Sequence, residues 1–380
     1  MKRISYLATA AKGTEDLLVE ELEELGGEEV VAGRGLVRFK GDVELGWKAN
    51  LWLRTAMRVL RPIADFPAPS PEALYEGMRG INWTELVTPQ TTIAVEGSVK
   101  DSAMTHSHFA SLKAKDAIVD MLRDELGARP SVDTEDPAVP VVLRIDRDHA
   151  YVSLNMSGDA LFKRGYRVRS TAAPIKETLA AALILSTTWG GRRPFIDPMC
   201  GSGTIAIEAA LIAARRAPGR WRNFAFQRWP SWGQTQIKRW KEILAEADAE
   251  SLDRSPGPIL ASDAAGDAIE AAQANAQSAK VFDSIRFQRR DVRATAPTMP
   301  PGIVLTNPPY GERIGGRGED LPSLYAGMGE RFREMRGHDI YVLAAAKDPA
   351  YGKAIGMEPV ESTEFWNGPI ETALHHYFIE

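Results

Sequence analysis

Hydrophobic and polar positions in the first part of the chain alternate between the periods of strands and helices. Residues 1–66 contain the strand patterns "ISYLATA", "GLVRFKG" and "AMRVLRPIADF" and the helix patterns "TEDLLVEELEEL" and "DVELGWKANLWL". The proline-rich stretch "PAPSP", residues 67–71, then predicts a stiff turn or linker. We therefore expect a first α+β domain over residues 1–66.

A second mixed pattern follows the proline-rich stretch. The strand pattern "TTIAVEGSV" precedes the helix pattern "SHFASLKAKDAIVDMLRDELG", and the strand patterns "VVLRID" and "AYVSLNM" come next. Phe109, Leu112 and Ile118 keep roughly helical spacing in the helix, which leaves Lys113 and Lys115 on its wetter side. This pattern predicts a second α+β domain over residues 67–160.

Strands and helices alternate regularly over residues 161–380. The apolar strand patterns "PFIDPMC", "PILASD", "IRFQRRDV" and "GIVLTNPPYG" each end in a polar residue, and helix patterns lie between them. This alternation is typical of a doubly wound parallel sheet, whose ligand crevice lies outside the carboxyl ends of the strands. We expect Asp197, Asp263, Asp291 and Asn307 to line that edge.

Composition excludes several classes of protein but does not indicate a function. The chain has 380 residues, 44% of them hydrophobic and 26% charged, which are globular values that favour two or three domains. A single cysteine excludes a disulfide framework, no apolar run has the length of a membrane span, and no histidine cluster has metal-ligand spacing. We expect a cytoplasmic protein without membrane or metal partners, and a monomer.

Two clusters of basic residues stand out against the net charge of −5. "KRGYRVR" spans residues 163–169, and "RRAPGRWRNFAFQRWPSW" spans residues 215–232, where arginines alternate with large aromatics. The second segment is either an insert that faces a nucleic acid or a set of tryptophans that pack an extra helix. Composition does not decide between these two interpretations.

The glycine turn "DPMCGSGT", residues 197–204, predicts a cofactor site without phosphate. It has no P-loop lysine, and it combines glycines for close backbone approach with nearby acids. S-adenosylmethionine fits, because Asp263 can accept from the ribose hydroxyls, Asp291 from the adenine amine and Asp197 from the ammonium. The predicted cofactor residues are Asp197, Pro198, Cys200, Gly201, Ser202, Gly203, Thr204, Asp263, Asp291 and the hydroxyl of Thr178.

The glycine turn together with the downstream "NPPYG" resembles the class I methyltransferases that act on exocyclic amino groups. The resemblance implies that the Asn307 side-chain oxygen and the Pro308 carbonyl accept the two amine hydrogens and orient the nitrogen lone pair. Pro308 and Pro309 fix these acceptors in advance. It also implies that Tyr310 stacks on a base that has been swung out of its helix.

The order of motifs over nearly all 380 residues resembles the THUMP-domain ribosomal RNA methyltransferases. "LWLRTAMRVLRPI", "LFKRGYR", "RNFAFQRW" and "TNPPYGERIG" resemble the 23S ribosomal RNA guanine-N2 group, in its unfused form. The resemblance implies a ferredoxin-like domain over 1–66, a THUMP domain that binds RNA over 67–160 and a Rossmann-like methyltransferase over 161–380. The predicted RNA-binding residues are Lys113, Lys115, Lys163, Arg164 and Arg167.

Three alternative functions stay open at this point. A transfer-RNA guanine-N2 methyltransferase would use the same motifs. A non-catalytic RNA-binding ribosome-assembly factor would keep the fold only as a scaffold, against which the intact Asn307 and three acids argue. A DNA adenine methylase would need a target-recognition domain, and only about seventy residues follow "NPPY".

Overall fold

The computed structural model describes residues 3–171, 174–310 and 320–380, and these form two compact units. Unit 1 comprises Met1–Ala10, Val19–Leu161 and Arg222–Ala245, and unit 2 comprises Ala11–Leu18, Phe162–Trp221 and Glu246–Glu380. The helices are α1 Glu15–Glu24, α2 Val43–Trp52, α3 Pro71–Arg79, α4 Ser107–Leu126, α5 Glu177–Leu185, α6 Thr204–Ala213, α7 Gln234–Glu250, α8 Gly266–Ser278, α9 Leu321–Arg333 and α10 Pro349–Ile355. Within the described ranges, none of these helices has both the length and the apolar character that crossing a membrane requires.

Unit 1 contains one eight-stranded sheet in the order β2-β3-β1-β4-β8-β7-β5-β6. Its strands are β1 Ile4–Ala10, β2 Glu28–Gly33, β3 Leu36–Gly41, β4 Ala56–Pro67, β5 Thr92–Lys100, β6 Ser131–Val132, β7 Val139–Asp146 and β8 His149–Asn155. The long strand β4 pairs with β1 on one side and β8 on the other, with an irregularity between Pro62 and Ala64, where a proline is tolerated. Because β4 joins the two predicted N-terminal domains, the boundary at residue 66 stays a prediction.

Helix α3 was not predicted, although the sequence carries its start signal. The Ser70 side chain accepts from the Ala73 amide, and Pro71 occupies the first turn of the helix. A serine cap followed by proline is a common beginning for a helix. The proline-rich stretch therefore leads directly into a helix instead of forming an extended linker.

The second basic and aromatic segment is divided between the units. Its later part belongs to unit 1, where Trp47 of α2 stacks on Phe226 at a centroid distance of 6.1 Å, and Trp232 and Trp240 contact Phe226 edge-on. Trp229 is also buried. The arginines follow the same pattern: Arg222 donates to the carbonyls of residues 159 and 160, and Arg228 to those of residues 136 and 137. For residues 222–232 of the segment the packing interpretation is therefore correct.

Unit 2 contains a seven-stranded sheet in the order β11-β10-β9-β12-β13-β15-β14. Its strands are β9 Phe195–Asp197, β10 Ile259–Asp263, β11 Ile285–Arg289, β12 Ile303–Thr306, β13 Asp339–Ala345, β14 Glu361–Asn367 and β15 Ile370–Phe378. The first five in spatial order are parallel, while β15 is antiparallel to both of its neighbours. Helices α5, α6 and α8 contribute apolar faces to its core. The predicted doubly wound sheet is thus confirmed.

The aromatic cluster of unit 1 makes a stability prediction. We expect Phe226→Ala to lower the free energy of unfolding by about 3–5 kcal/mol, because it removes a buried ring that contacts three tryptophans. Urea denaturation measures the change. Trp221→Ala is the control, since Trp221 is 52% exposed and its removal should cost much less. Equal losses in the two variants would show that Phe226 is not a core residue.

Candidate active site

The carboxyl ends of neighbouring parallel strands bring the predicted polar residues to one edge of the unit 2 sheet. Asp197 ends β9 and Asp263 ends β10, while Asn307 directly follows β12 and Asp291 follows β11. Strand β9 pairs with β10 on one side and with β12 on the other, so the strand order reverses there. Such a reversal is where open α/β sheets bind ligands.

The glycine turn between β9 and α6 has a backbone that only small residues permit. Gly203 has φ +85°, and a Cβ built on it would lie 2.9 Å from the Cβ of Ala272 in α8. Gly201 has φ +52°. Left-handed φ and close approach both favour glycine. The turn therefore lies tightly against α8 at Gly203.

Asp263 ties the end of β10 to the glycine turn. Its Oδ2 accepts from the Gly201 amide at 2.9 Å, and its Oδ1 accepts from the Ala265 amide at 2.9 Å. The Cys200 amide donates to the carbonyl of Ser262 at 2.9 Å, beside it. Backbone donors thus hold the carboxylate of Asp263, the residue predicted to bind the ribose, in one orientation.

Asp197 is a buried acid with spare accepting capacity. It is 1% exposed, and its Oδ1 accepts from the Met199 amide at a long 3.4 Å. Its Oδ2 is buried and has no hydrogen-bond partner among the described residues. Burial raises the pKa of Asp197 well above its usual range, and the charge of Asp263 adds a smaller increase. A cationic donor placed here would satisfy the oxygen and favour the carboxylate.

Asp291 lies in an ion pair at the rim of a cavity of about 280 Å³. Its carboxylate accepts from the amide, Nε and Nη2 of Arg293, and these bonds lower the pKa of Asp291. Asp263, Pro198 and Pro309 line the same cavity. Arg293 already engages both oxygens of Asp291. The contact of Asp291 with the adenine amine stays a prediction.

The turn after β12 presents an acceptor without a partner. The Oδ1 of Asn307 is buried and has no hydrogen-bond partner in the part of the chain that the structure describes. The turn itself is fixed, because the hydroxyl of Tyr325 donates to the Pro309 carbonyl at 2.7 Å and the side chain of Asn367 donates to the Tyr310 hydroxyl at 2.8 Å. A buried unpaired acceptor is costly, and its persistence points to a ligand.

Tyr310 is more enclosed than the sequence suggested. Its side chain is 3% exposed, so its ring does not lie open for a base in this conformation. Stacking on a flipped base stays a prediction and requires the ring to be uncovered. Residues 311–315 of the quoted motif lie outside the described residues.

Two arginines of the "KRGYRVR" cluster are engaged within the protein. Arg164 is 4% exposed and its Nε lies 3.7 Å from Glu208, which also accepts from Tyr166. Arg167 donates to Glu177, Ser202, Thr204 and the carbonyl of Ile175. This burial and hydrogen bonding argue against the predicted RNA contacts for both, and Arg167 instead holds the glycine turn. Lys163 is exposed.

Asn275 is a supporting residue that the motifs did not reveal. It is 1% exposed in α8, its Oδ1 accepts from the amides of residues 168 and 169, and its Nδ2 donates to the carbonyls of Arg169 and Ser202. All of its strong hydrogen-bonding groups are used to fasten the segment after "KRGYR" to the glycine turn. The signal in the sequence that could have revealed Asn275 is a polar residue on the apolar face of a predicted helix.

The remaining predicted residues differ in exposure. Pro198, Cys200, Ser202, Thr204 and Thr178 are buried around the turn, and burial raises the pKa of the Cys200 thiol. In unit 1, Lys113 and Lys115 are partly exposed. The ammonium of Lys113 lies 4.8 Å from the centroid of the Tyr75 ring, and Lys115 pairs with Asp116. Both lysines stay accessible for the contact predicted from sequence.

The glycine turn makes a testable prediction. We expect Gly203→Ala to destabilise unit 2 by about 1–2 kcal/mol or more, because the new Cβ has an unfavourable φ and overlaps Ala272. It should also weaken binding of S-adenosylmethionine, measured by calorimetry. Gly190→Ala is the matched control, since its Cβ would meet nothing within 4 Å. Unchanged stability and binding in Gly203→Ala would contradict a close-packed turn.

Three sequence profiles cover most of the chain. The RMKL-like methyltransferase domain matches residues 164–376, more than half of the chain. The RlmL ferredoxin-like domain matches residues 5–60, and the THUMP domain matches residues 68–155. The order of the three agrees with the fold class expected from the sequence.

Individual relatives give the same result. "Ribosomal RNA large subunit methyltransferase K/L" of Syntrophotalea carbinolica is 40% identical over 99% of this chain and 54% of its own length, so this chain spans about half of that relative. "Putative RNA methyltransferase slr0064" of Synechocystis sp. is 36% identical over 98% of this chain and 96% of its own length. The crystal structure of SMU.472 complexed with SAH has a TM-score of 0.90, 30% identity, and coverage of 100% of this chain and 99% of that one. The chain therefore belongs to the family of methyltransferases with an RMKL-like methyltransferase domain.

Proposed function

We propose that the chain transfers the methyl group of S-adenosylmethionine to the exocyclic amine N2 of a guanine in 23S ribosomal RNA. The observation that carries the proposal is the Oδ1 of Asn307, which is buried at the switch point of the sheet and has no hydrogen-bond partner among the described residues. Relatives named for ribosomal RNA large subunit methylation support the RNA class of the substrate. The choice of guanine N2 and of 23S ribosomal RNA rests on the resemblance of the motifs.

The residues at the sheet edge fit the cofactor chemically. The Oδ2 of Asp197, which has no hydrogen-bond partner among the described residues, suits an ammonium, and the fixed carboxylate of Asp263 suits a ribose diol. Gly203 lets the turn lie close against α8. When bound, S-adenosylmethionine supplies an electrophilic methyl group on a sulfonium. These acids would hold and orient the cofactor, and no charged side chain would need to act as a nucleophile.

Asn307 performs the step that the guanine amine needs. The nitrogen lone pair of N2 is delocalised into the ring, so the amine is a weak nucleophile. Hydrogen bonds from its two hydrogens to the Asn307 Oδ1 and the Pro308 carbonyl localise that lone pair. Tyr325 and Asn367 hold the turn, which places the acceptors before the substrate arrives and reduces the ordering cost in the transition state.

RNA is held in this proposal by lysines of unit 1 and by Lys163. Lys113 and Lys115 lie on α4, within the THUMP match, and their ammonium groups are compact charges that suit phosphates. The identity of the methylated base is tested by mass mapping of methylated nucleosides in ribosomal and transfer RNA from a deletion strain. Loss of a methylguanine from transfer RNA alone would support the transfer-RNA alternative and contradict the 23S proposal.

Substitutions should separate the effects on cofactor binding from the effects on methyl transfer. We expect Asn307→Ala to keep cofactor affinity within a few-fold and to lose methyl transfer by on the order of a hundredfold or more, as for one preorganised hydrogen-bonding group. Asp263→Ala is the reciprocal variant and should weaken cofactor binding first. Calorimetry with S-adenosylmethionine and a methyl-transfer assay measure the two effects. Retained turnover in Asn307→Ala would refute the mechanism.

Asp197 gives a prediction about pH. Its pKa is raised in the folded chain, so the folded state keeps a proton that the unfolded chain loses, and stability falls as pH rises through this window. An ammonium beside Asp197 favours the carboxylate. We therefore expect cofactor binding to release a proton wherever Asp197 of the free protein is protonated, and to tighten as pH rises through that range.

Calorimetry in buffers with different ionisation enthalpies measures this proton release. Asp197→Asn should abolish it, because the amide does not titrate. The same proton release in wild type and Asp197→Asn would show that another group is responsible.

A further inference from the structure

A basic and aromatic surface in unit 2 lies outside the proposed active site. It consists of Arg216, Arg220, Trp221 and Lys280, which we call the Trp221 patch. Trp221 is 52% exposed, whereas Trp229 in the same sequence segment is 8% exposed. The packing interpretation therefore fails for Trp221, and its exposure needs a separate explanation.

Two cations lie over the Trp221 indole. The Lys280 ammonium is 3.7 Å from the ring centroid, and the Arg220 guanidinium carbon is 4.7 Å away. Arg220 is fixed by two bonds of 2.7 Å to Asp248. These contacts hold the indole at the surface in a defined position, which an exposed tryptophan does not otherwise require.

Hydrogen bonds from Arg216 also hold the backbone segments next to the patch. The Arg216 guanidinium donates to the carbonyls of Lys280, Leu252 and Asp253. Arg216 and Arg220 thus act as scaffold, while Trp221 and Lys280 are exposed. Lys280 has a left-handed backbone, with φ +58°, and its ammonium lies over the indole.

A cavity of about 280 Å³ opens at the patch. Trp221, Arg216, Arg220 and Lys280 line it together with Ser251 and Asp248. The lining combines an aromatic face, cations and hydrogen-bonding groups. This chemistry suits a nucleobase with its phosphate better than an apolar side chain of a protein partner.

We infer that the Trp221 patch binds an unpaired segment of the RNA substrate, with a base against the indole and a phosphate at Lys280. The inference rests on the proposed RNA function. A duplex keeps its bases stacked inside, so only an unpaired segment offers a base to the ring. A phosphate draws the Lys280 ammonium away from the indole, which uncovers the face for stacking.

The binding test uses a short oligouridylate and an RNA duplex as probes, with fluorescence anisotropy across salt concentrations. We expect Trp221→Ala to weaken oligouridylate binding about tenfold, Trp221→Phe to restore most of it, and duplex binding to stay unchanged. Lys280→Asn suits the left-handed backbone and should reduce the salt slope by about one. The controls are Phe378→Ala, an aromatic that is 48% exposed, and Lys347→Ala, both of which should bind like wild type.

Methyl transfer to protein-free 23S ribosomal RNA separates the two proposals. We expect Trp221→Ala to raise the KM for RNA, with kcat and cofactor affinity unchanged. Wild-type binding of oligouridylate by Trp221→Ala overturns the patch inference even where wild type methylates the RNA. Equal losses on oligouridylate and duplex also overturn it, because they show a phosphate contact without stacking. Failure of wild type to methylate the RNA rejects the proposed function, whatever the binding results.

Discussion

The parallel pairing of β9 with both β10 and β12 is the constraint on which the site depends. It places the last residue of β9, the last residue of β10 and the first residue after β12 at the same edge of the sheet. Asp197, Asp263 and Asn307 are far apart in the chain, and no local interaction brings them together. The register of these three strands therefore determines the distance between the cofactor side and the substrate side.

Contacts with α8 hold the glycine turn in place at that edge of the sheet. Gly203 lies against Ala272, and Asn275, one turn further along α8, binds the turn and the segment before α5. Arg167 completes the connection through Ser202 and Thr204. A rigid shell of this kind lets the site keep an unpaired acceptor and a buried acid, because the cost of both is offset by the surrounding packing.

The segment 215–232 shows how one composition serves two purposes. Arginines and aromatics alternate throughout it, yet Phe226 and Trp229 are buried in unit 1 and Trp221 is exposed in unit 2. Arg222 and Arg228 bond to backbone carbonyls, so their charge serves the fold. Alternating arginines and aromatics are thus no measure of an RNA surface until burial is known.

The sequence by itself determined the order of the elements, the parallel sheet and the polar residues at the ends of its strands. Apolar runs with a polar terminus are local patterns, and the glycine turn and "NPPY" have geometries that their own residues impose. Only the tertiary structure decided the burial and the partners of Arg164, Arg167, Asn275 and Trp221. Whether a guanidinium faces solvent or Glu208, and whether an indole is covered, depends on chain segments that are distant in sequence. Burial and partner choice are properties of the folded chain, so charge and aromatic patterns could not reveal them.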